Sequence, residues 1–380
     1  MHRHLLLLSA LALAAFLACS RDENALEPVV LSCMAPAFLK PGDKVALLSP
    51  SSFTPMENVV SGVAILQEWG LQPVVGPNVG KTYKGSYAGT PEERLADLRW
   101  ALEDPSIKAI LCNRGGYGTI GLVEKLPLEV LGAHPKWLVG FSDITTLHGM
   151  ETRAGVMSIH GTMCSLMAKY EGKDISSLLL RDLLMGDIPA YELPSHPQSI
   201  PGKASGILVG GNLCTFSPVL GTPADATLGR DIVLFIEEVE ENMSHIDRLI
   251  NLLIFNGVMD RCKGVVLGQF TDCEANLDFG SVEEMIASYL KPYGIPVLAG
   301  FPGGHGEVNL PLVMGAPVTL DVRSDGATLC FGLEGTAQST IVTAEIPETV
   351  TANADEEREA KASRLLRLYN FVKHYSGARK

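Results

Sequence analysis

Short apolar runs of strand length alternate with stretches in which apolar residues recur three or four positions apart. Val45–Leu48, Pro73–Val75, Lys108–Cys112 and Trp137–Val139 are runs of the first kind, and turn-forming glycine, proline, serine or asparagine follows them. Between them stand helix starts. In Thr54-Pro55-Met56-Glu57, Thr54 is placed to cap and Pro55 to take the first turn, ahead of a stripe at Val60, Val63, Leu66 and Trp69. A capping box at Thr90-Pro91-Glu92-Glu93 precedes Leu95, Leu98 and Leu102. Strands separated by helices predict an α/β fold with a parallel sheet, in which the loops after the strand C-termini share one ligand-binding edge. Ser49–Ser52, Asn113–Gly118 and Gly140–Asp143 are assigned to that edge.

A different pattern follows. Residues 164–205 form a polar, proline-bearing connector with one helix, Ile175–Leu184. Beyond it, Gly206–Leu213, Asp231–Ile236, Gly264–Gly268 and Val297–Leu298 predict strands, Ser244–Phe255 a helix, and Val308–Phe331 further short strands. The chain thus divides into a leader (1–19), a tether without periodicity (20–39), an N-terminal α/β domain (40–163), the connector (164–205), a C-terminal β-rich domain (206–345) and a charged helical tail (346–380).

Composition narrows the function classes. With 380 residues, 46% apolar and 19% charged, the chain can fill real cores, and its net charge of −13 argues against nucleic acid as a partner. The first residues carry Arg3, an apolar run Leu5–Phe16 and Leu17-Ala18-Cys19-Ser20. This resembles a bacterial lipobox, in which Cys19 would be lipidated and become the mature N-terminus. It predicts export and anchoring to the membrane on the periplasmic side. A plain cleaved secretory leader is the other reading. No apolar run of bilayer length follows it. The other seven cysteines have no C-x-x-C or metal-like spacing, and no H-E-x-x-H occurs, so buried thiols and no metal are expected.

Three places could carry chemistry. Ser142 lies on a tight strand-to-helix turn, Trp137-Leu138-Val139-Gly140-Phe141-Ser142-Asp143, which suits either a helix N-cap or a nucleophile beside unpaired amides. Glu237 ends an apolar strand, as a solvated strand end or as a site residue on a rigid element. His305 is bracketed by glycines in Gly303-Gly304-His305-Gly306. The loop Arg114-Gly115-Gly116-Tyr117-Gly118 is either a tight turn or an anion site. It lacks the Gly-Lys-Ser/Thr of a P-loop, and Arg114 suits a carboxylate.

Taken in order, Leu47-Ser49-Pro50-Ser51, Tyr87-Ala88-Gly89-Thr90, the Arg114–Gly118 loop, Gly140-Phe141-Ser142-Asp143, Gly210-Gly211-Asn212-Leu213, Leu220-Gly221-Thr222-Pro223 and Gly304-His305 resemble the LD-carboxypeptidase family of serine peptidases. That family also contains the microcin C self-immunity proteins. The resemblance runs from Leu39 to Phe331. It implies a nucleophile domain joined to a β-rich, barrel-like domain, a catalytic cleft between them, no cofactor, and a homodimer. It also implies Ser142 as nucleophile, His305 as base, Glu237 as its orienting carboxylate, and the Asp143 amide with one from Gly115 or Gly116 as oxyanion site. Arg114 is the candidate for gripping an acidic group of a peptidoglycan-derived tetrapeptide that loses its terminal D-alanine. Two other readings are a hydrolase of aminoacyl-nucleotide analogues, as in microcin immunity, and a non-catalytic muropeptide-binding lipoprotein. Adenine recognition needs a stacking aromatic. Trp69, Trp100 and Trp137 fall at packing positions, which leaves Tyr170 and Tyr191 of the connector.

Overall fold

The computed structural model describes residues 33–275, 278–333 and 338–343, with backbone alone for 338–341. The expected leader with Cys19, most of the tether and the charged tail lie outside the described residues.

Five parallel strands, β1 (Lys44–Leu48), β2 (Gln72–Val75), β3 (Ile107–Cys112), β4 (Trp137–Gly140) and β5 (Ser158–His160), stand in the order β2-β1-β3-β4-β5. The short strand β5 had no counterpart in the sequence pattern. Three of the strands end on the predicted edge, at Ser49–Ser52, Asn113–Gly118 and Gly140–Asp143. The order reverses direction between β1 and β3, the position at which such sheets open a crevice beyond their C-termini.

Of the two predicted helix starts, one holds. Thr90 accepts from the Glu93 amide while Glu93 reaches back to the Thr90 amide, completing the capping box. Thr54 does not cap: the helix is Met56–Glu68 with Pro55 at its N-cap, and the Thr54 hydroxyl is buried without a partner. The buried face is also rotated from the expected one, to Val59, Ile65 and Leu66, leaving Val60 62% exposed. Gly62 sets that rotation, because a Cβ there would come within 2.6 Å of Cys164 Sγ in the facing helix Cys164–Lys169.

The second sheet comprises β6 (Ile188–Pro194), β7 (Gly202–Asn212), β8 (Ile232–Val239), β9 (Cys262–Thr271), β10 (Val297–Leu298), β12 (Pro317–Val322), β13 (Gly326–Phe331) and β14 (Gln338–Thr343). Its order is β10-β9-β8-β7-β12-β13-β6-β14. β7 to β10 are parallel, and β12, β13 and β6 continue antiparallel. The expected barrel-like domain takes the form of this mixed sheet, whose end strands are not paired with each other among the described residues.

Three expected boundaries shift. The strand Leu312–Met314 (β11) pairs antiparallel with β5 in the first sheet, so the chain returns to the first layer late. The connector is partly sheet, since β6 and the start of β7 fall within it. The end of the tether belongs to the fold: Cys33 and Leu39 are buried, Met34 bridges to Val156, and Phe38 stacks on Trp137 at 5.6 Å. A single apolar cluster joins the layers, with Leu47, Val139 and Ile159 from the first sheet and Phe235, Val266 and Leu320 from the second. At about 1.5–3 kcal/mol for each such buried side chain, the cluster fixes one sheet against the other. Among the described residues no helix is long and apolar enough to cross a membrane.

Candidate active site

The first half of the site is built on the end of β4, whose four residues are all buried. Phe141 is extended (φ −152°), and Ser142 then takes φ +63° before a 3-10 turn, Ser142–Ile144, leads into the helix Thr145–Arg153. A non-glycine residue in the left-handed region costs about 1–3 kcal/mol and persists only where neighbours dictate it. Here Asp143 does so. Its carboxylate accepts from Ser51 Oγ (2.5 Å) and the Thr119 amide (2.9 Å), and its carbonyl accepts from Thr119 Oγ1 (2.6 Å). This ties the loops after β1, β3 and β4 together beneath the serine. Of the two readings of Ser142, the helix cap fails, because neither the 3-10 turn nor the helix has a side-chain cap.

Gly115 lies directly against the serine: a Cβ there would stand 2.9 Å from Ser142 Cβ and 3.2 Å from Oγ. Gly116 has φ +108° and packs on Ser52, whose hydroxyl accepts from the Tyr117 amide at 3.1 Å. Arg114, one residue before, is exposed and has no ion pair among the described residues.

The second half comes from the C-terminal edge of the parallel strands in the second sheet. Side chains alternate along β8, so Glu237 and Glu238 point apart. Glu238 accepts from Asn212 Nδ2 (2.7 Å) and the Cys214 amide (2.7 Å), while Glu237, fully buried, meets His305 Nδ1 with Oε2 at 2.7 Å. The other ring nitrogen, Nε2, lies 3.0 Å from Ser142 Oγ. With Glu237 ionised, Nδ1 donates to it and Nε2 is left as the acceptor for the serine hydroxyl. Glu237 is therefore not a solvated strand end but a buried carboxylate held against His305.

The loop that carries His305 is held by side chains the sequence reading did not single out. Asn309 Oδ1 accepts from the Gly304 amide (2.9 Å), and Gln269 Oε1 accepts from the Gly306 amide (3.0 Å). Gly304 has φ +129°, and a Cβ there would stand 2.6 Å from Glu237 Oε2, so only glycine admits the carboxylate. The Phe141 ring supports the imidazole at 4.9 Å between centroids. One further bond joins the halves: the Asn212 amide, at the end of β7, donates to Thr145 Oγ1 (3.1 Å). Asn309, Gln269 and Thr145 were not found from sequence because ordinary polar residues in loops carry no signal until their partners are known.

Burial works against charge on His305, and the Glu237 carboxylate outweighs it, lifting the imidazole above its ordinary value. Burial also lifts the Glu237 carboxyl, and the hydrogen bond from His305 opposes that rise. These opposing influences are those a general base and its orienting carboxylate would be under.

A cleft of about 190 Å³ opens beside His305, bordered by Thr162, Lys169, Tyr170, Asp174, Thr271 and Glu307. Tyr170 is present there, with Lys169 Nζ 4.9 Å over its ring. Tyr191 is not: it is fully buried, its hydroxyl donating to the Pro311 carbonyl, so it cannot stack on a ligand. Trp137 is buried in the core, as its position predicts, and Trp69 and Trp100 pack against the clusters. Among the described residues one group of three metal-ligand types occurs, Cys214, Glu241 and His245, from positions whose spacing gave no sign of it.

Two family models match the chain, the LD-carboxypeptidase N-terminal domain over residues 45–161 and the LD-carboxypeptidase C-terminal domain over residues 205–320. The chain is similar to a protein of Bacillus subtilis named a probable murein peptide carboxypeptidase, 32% identical over 80% of this chain and 97% of that one. It is similar also to the murein tetrapeptide carboxypeptidase of Pseudomonas aeruginosa, 30% identical over 73% of this chain and 93% of the relative. In fold it matches the solved structure of the microcin C7 self-immunity protein in its wild-type, ligand-free state, with a TM-score of 0.68 at 23% identity, covering 78% of this chain and 98% of that one.

Proposed function

From the premise that the chain belongs to the LD-carboxypeptidase family, we propose that it is a serine carboxypeptidase releasing terminal D-alanine from peptidoglycan-derived tetrapeptides by cleaving the L,D-peptide bond. The observation that carries this reading is the continuous path Ser142 Oγ–His305–Glu237, at 3.0 and 2.7 Å, assembled from the edges of two sheets. Ser142 Oγ attacks the carbonyl carbon before the D-residue while His305 Nε2 takes its proton. The raised basicity of the imidazole suits this step. Glu237 holds the tautomer and stabilises the imidazolium. His305 then gives the proton to the leaving D-alanine amine. Water, deprotonated by the same nitrogen, attacks the ester carbon, the bond to Ser142 Oγ breaks to release the shortened peptide, and His305 returns the proton to Oγ.

The Asp143 amide, with one from Gly115 or Gly116, would meet the oxyanion, an interaction whose loss typically costs about 10²–10³ in turnover. Arg114, exposed at the rim of this turn and without an ion pair among the described residues, is the group for an acidic substituent of the peptide. The leader adds a location: lipidation of Cys19 would hold the enzyme on the periplasmic side of a membrane, and fractionation of Cys19→Ala tests this apart from the chemistry.

A second reading, hydrolysis of an aminoacyl-nucleotide analogue, draws on one observation, the Tyr170 ring at the cleft. The covering Lys169 ammonium and the burial of Tyr191 place it second. The test is D-alanine release from tetrapeptide measured beside hydrolysis of such an analogue. Efficient cleavage of tetrapeptide and slow cleavage of the analogue is expected. Comparable efficiency on both, or faster turnover of the nucleotide, reverses the order.

A further inference from the structure

Past the C-terminal ends of β7 and β8, side chains from three different elements converge: Cys214 in the short helix Leu213–Phe216, Glu241 in the turn after β8, and His245 in the first turn of the helix Met243–Phe255. Their ligand atoms all lie within 4.8 Å of one another. His245 Nδ1 is 2.7 Å from Glu241 Oε2 and 3.9 Å from Cys214 Sγ. We propose that Cys214, Glu241 and His245 bind a zinc-class divalent cation, with water in the fourth position, and that this ion staples the loops behind Glu237.

The donor set selects the ion. A thiolate with an imidazole excludes the hard cations calcium and magnesium, and one carboxylate with them fits a tetrahedral borderline metal. Metal–ligand distances of about 2.0–2.3 Å put tetrahedral donors roughly 3.3–3.8 Å apart. The two separations from His245 lie on either side of that range, so closure asks that the Glu241–His245 hydrogen bond open by about half an ångström and that Cys214 Sγ draw in toward the other two donors.

The backbone that carries the donors is already fixed. The Cys214 amide donates to Glu238 Oε2 (2.7 Å), Asn242 Oδ1 caps the His245 amide (3.0 Å), and the Glu241 carbonyl accepts from the Glu274 amide (3.0 Å). The donors are also reachable from solvent, the His245 side chain being 40% and that of Glu241 25% exposed. When the ion enters, the Cys214 thiol gives its proton to solvent. His245 keeps one proton, moved from Nδ1 to Nε2, and no redox change occurs.

The staple would reach the catalytic groups through neighbours named above. Glu238, which anchors Cys214, also holds Asn212, and the Asn212 amide bonds to Thr145 in the helix that follows Ser142. Position in sequence concealed the site, because only Glu241 and His245 have a helical i,i+4 spacing and the thiol comes from another strand end.

Cobalt is the probe. Full-length protein stripped with a chelator is titrated with Co²⁺ and then with Zn²⁺, following absorption and melting temperature. The expected result is one equivalent of tetrahedral Co²⁺ with a thiolate charge-transfer band, displacement by Zn²⁺, and a rise in melting temperature. Cys214→Ser should abolish the band, His245→Ala should weaken Zn²⁺ binding at least tenfold, and His305→Ala should leave both intact, which separates this site from the catalytic histidine. Absence of a thiolate band in folded wild type overturns the proposal. So does Zn²⁺ affinity unchanged in both Cys214→Ser and His245→Ala, each checked for a native melting transition.

Discussion

At the edge of the first sheet the hydroxyl of Ser142 sits on a strained turn whose carboxylate neighbour, Asp143, is buried among Ser51 and Thr119, whereas at the edge of the second sheet the His305 imidazole rides on a glycine-bracketed loop held by Asn309 and Gln269. Ser142 is positioned by strain that the surrounding core enforces. His305 is positioned by side-chain acceptors on loop amides, with a rigid strand, β8, supplying only the carboxylate it meets. Damage to the bonds that support the first edge, those of Asp143 with Ser51 and Thr119, should therefore register as lost stability together with lost activity, and damage to the supports of the second chiefly as lost activity.

The largest effect that would sharpen this contrast is expected from Glu237→Gln, which keeps the shape of a fully buried side chain and removes the charge on His305. Turnover should fall by about 10³-fold or more, because the imidazole loses both its tautomer and its counter-charge. The pH profile gives the sign. The reaction needs neutral His305, so activity rises with pH through the pKa that Glu237 lifts, and without the carboxylate that acid limb should move to lower pH. An acid limb that stays in place would break the assignment.

Next come two substitutions, one for each edge. Gln269→Ala removes the acceptor beneath Gly306 and should lower kcat by up to about a hundredfold through a displaced imidazole, with KM and melting temperature little changed. Asp143→Ala leaves the Ser51 hydroxyl and the Thr119 amide without their acceptor, each unsatisfied group costing about 1–3 kcal/mol, so melting temperature should fall along with activity. The reverse pattern in the two variants would contradict the comparison. Arg114→Ala should act more mildly, raising KM for tetrapeptide about 10-fold while kcat holds, as loss of a charged hydrogen bond implies.

The smallest effect is on stability against pH. In the first region burial holds His148 down to about 4 and His160 to about 3; His148 meets Ser158 and the Gly140 carbonyl, and His160 meets Asn309 through Nε2. In the unfolded chain both regain a value near 6.5, so below that the unfolded state binds more protons and the native state loses stability as pH falls from about 6.5 toward 4. Melting temperature against pH should show this slope, and His148→Gln should flatten it. A slope unchanged in that variant would show that the acid response arises elsewhere.

The first sheet was legible because its signals are local. β1 to β4 are apolar runs with turn residues after them, and Thr90–Glu93 is a capping box that folds as written. What failed there depended on a neighbour. The face of the helix Met56–Glu68 is chosen by the contact of Gly62 with Cys164, over a hundred residues away, and β5 is only three residues long. In the second region the late return of β11 to the first sheet and the burial of β6 inside the expected connector are long-range pairings that periodicity does not encode. Ser142, Glu237 and His305 were singled out through the family resemblance, whereas the residues alone favoured a helix cap for the serine. The backbone removes the cap reading, because Ser142 stands at φ +63° and neither the 3-10 turn nor the helix has a side-chain cap.

The central claim is that Ser142 and His305, carried by different sheets, act as one unit on the L,D-peptide bond. The double-mutant cycle of Ser142→Ala and His305→Ala, read as D-alanine release from tetrapeptide, tests it most directly. Each single variant should melt as wild type does and lose on the order of 10⁴-fold or more in kcat, and the double variant should lose little beyond either. Losses that add in the double variant, or more than a few per cent of turnover left in Ser142→Ala, would show that the two residues do not form the catalytic unit.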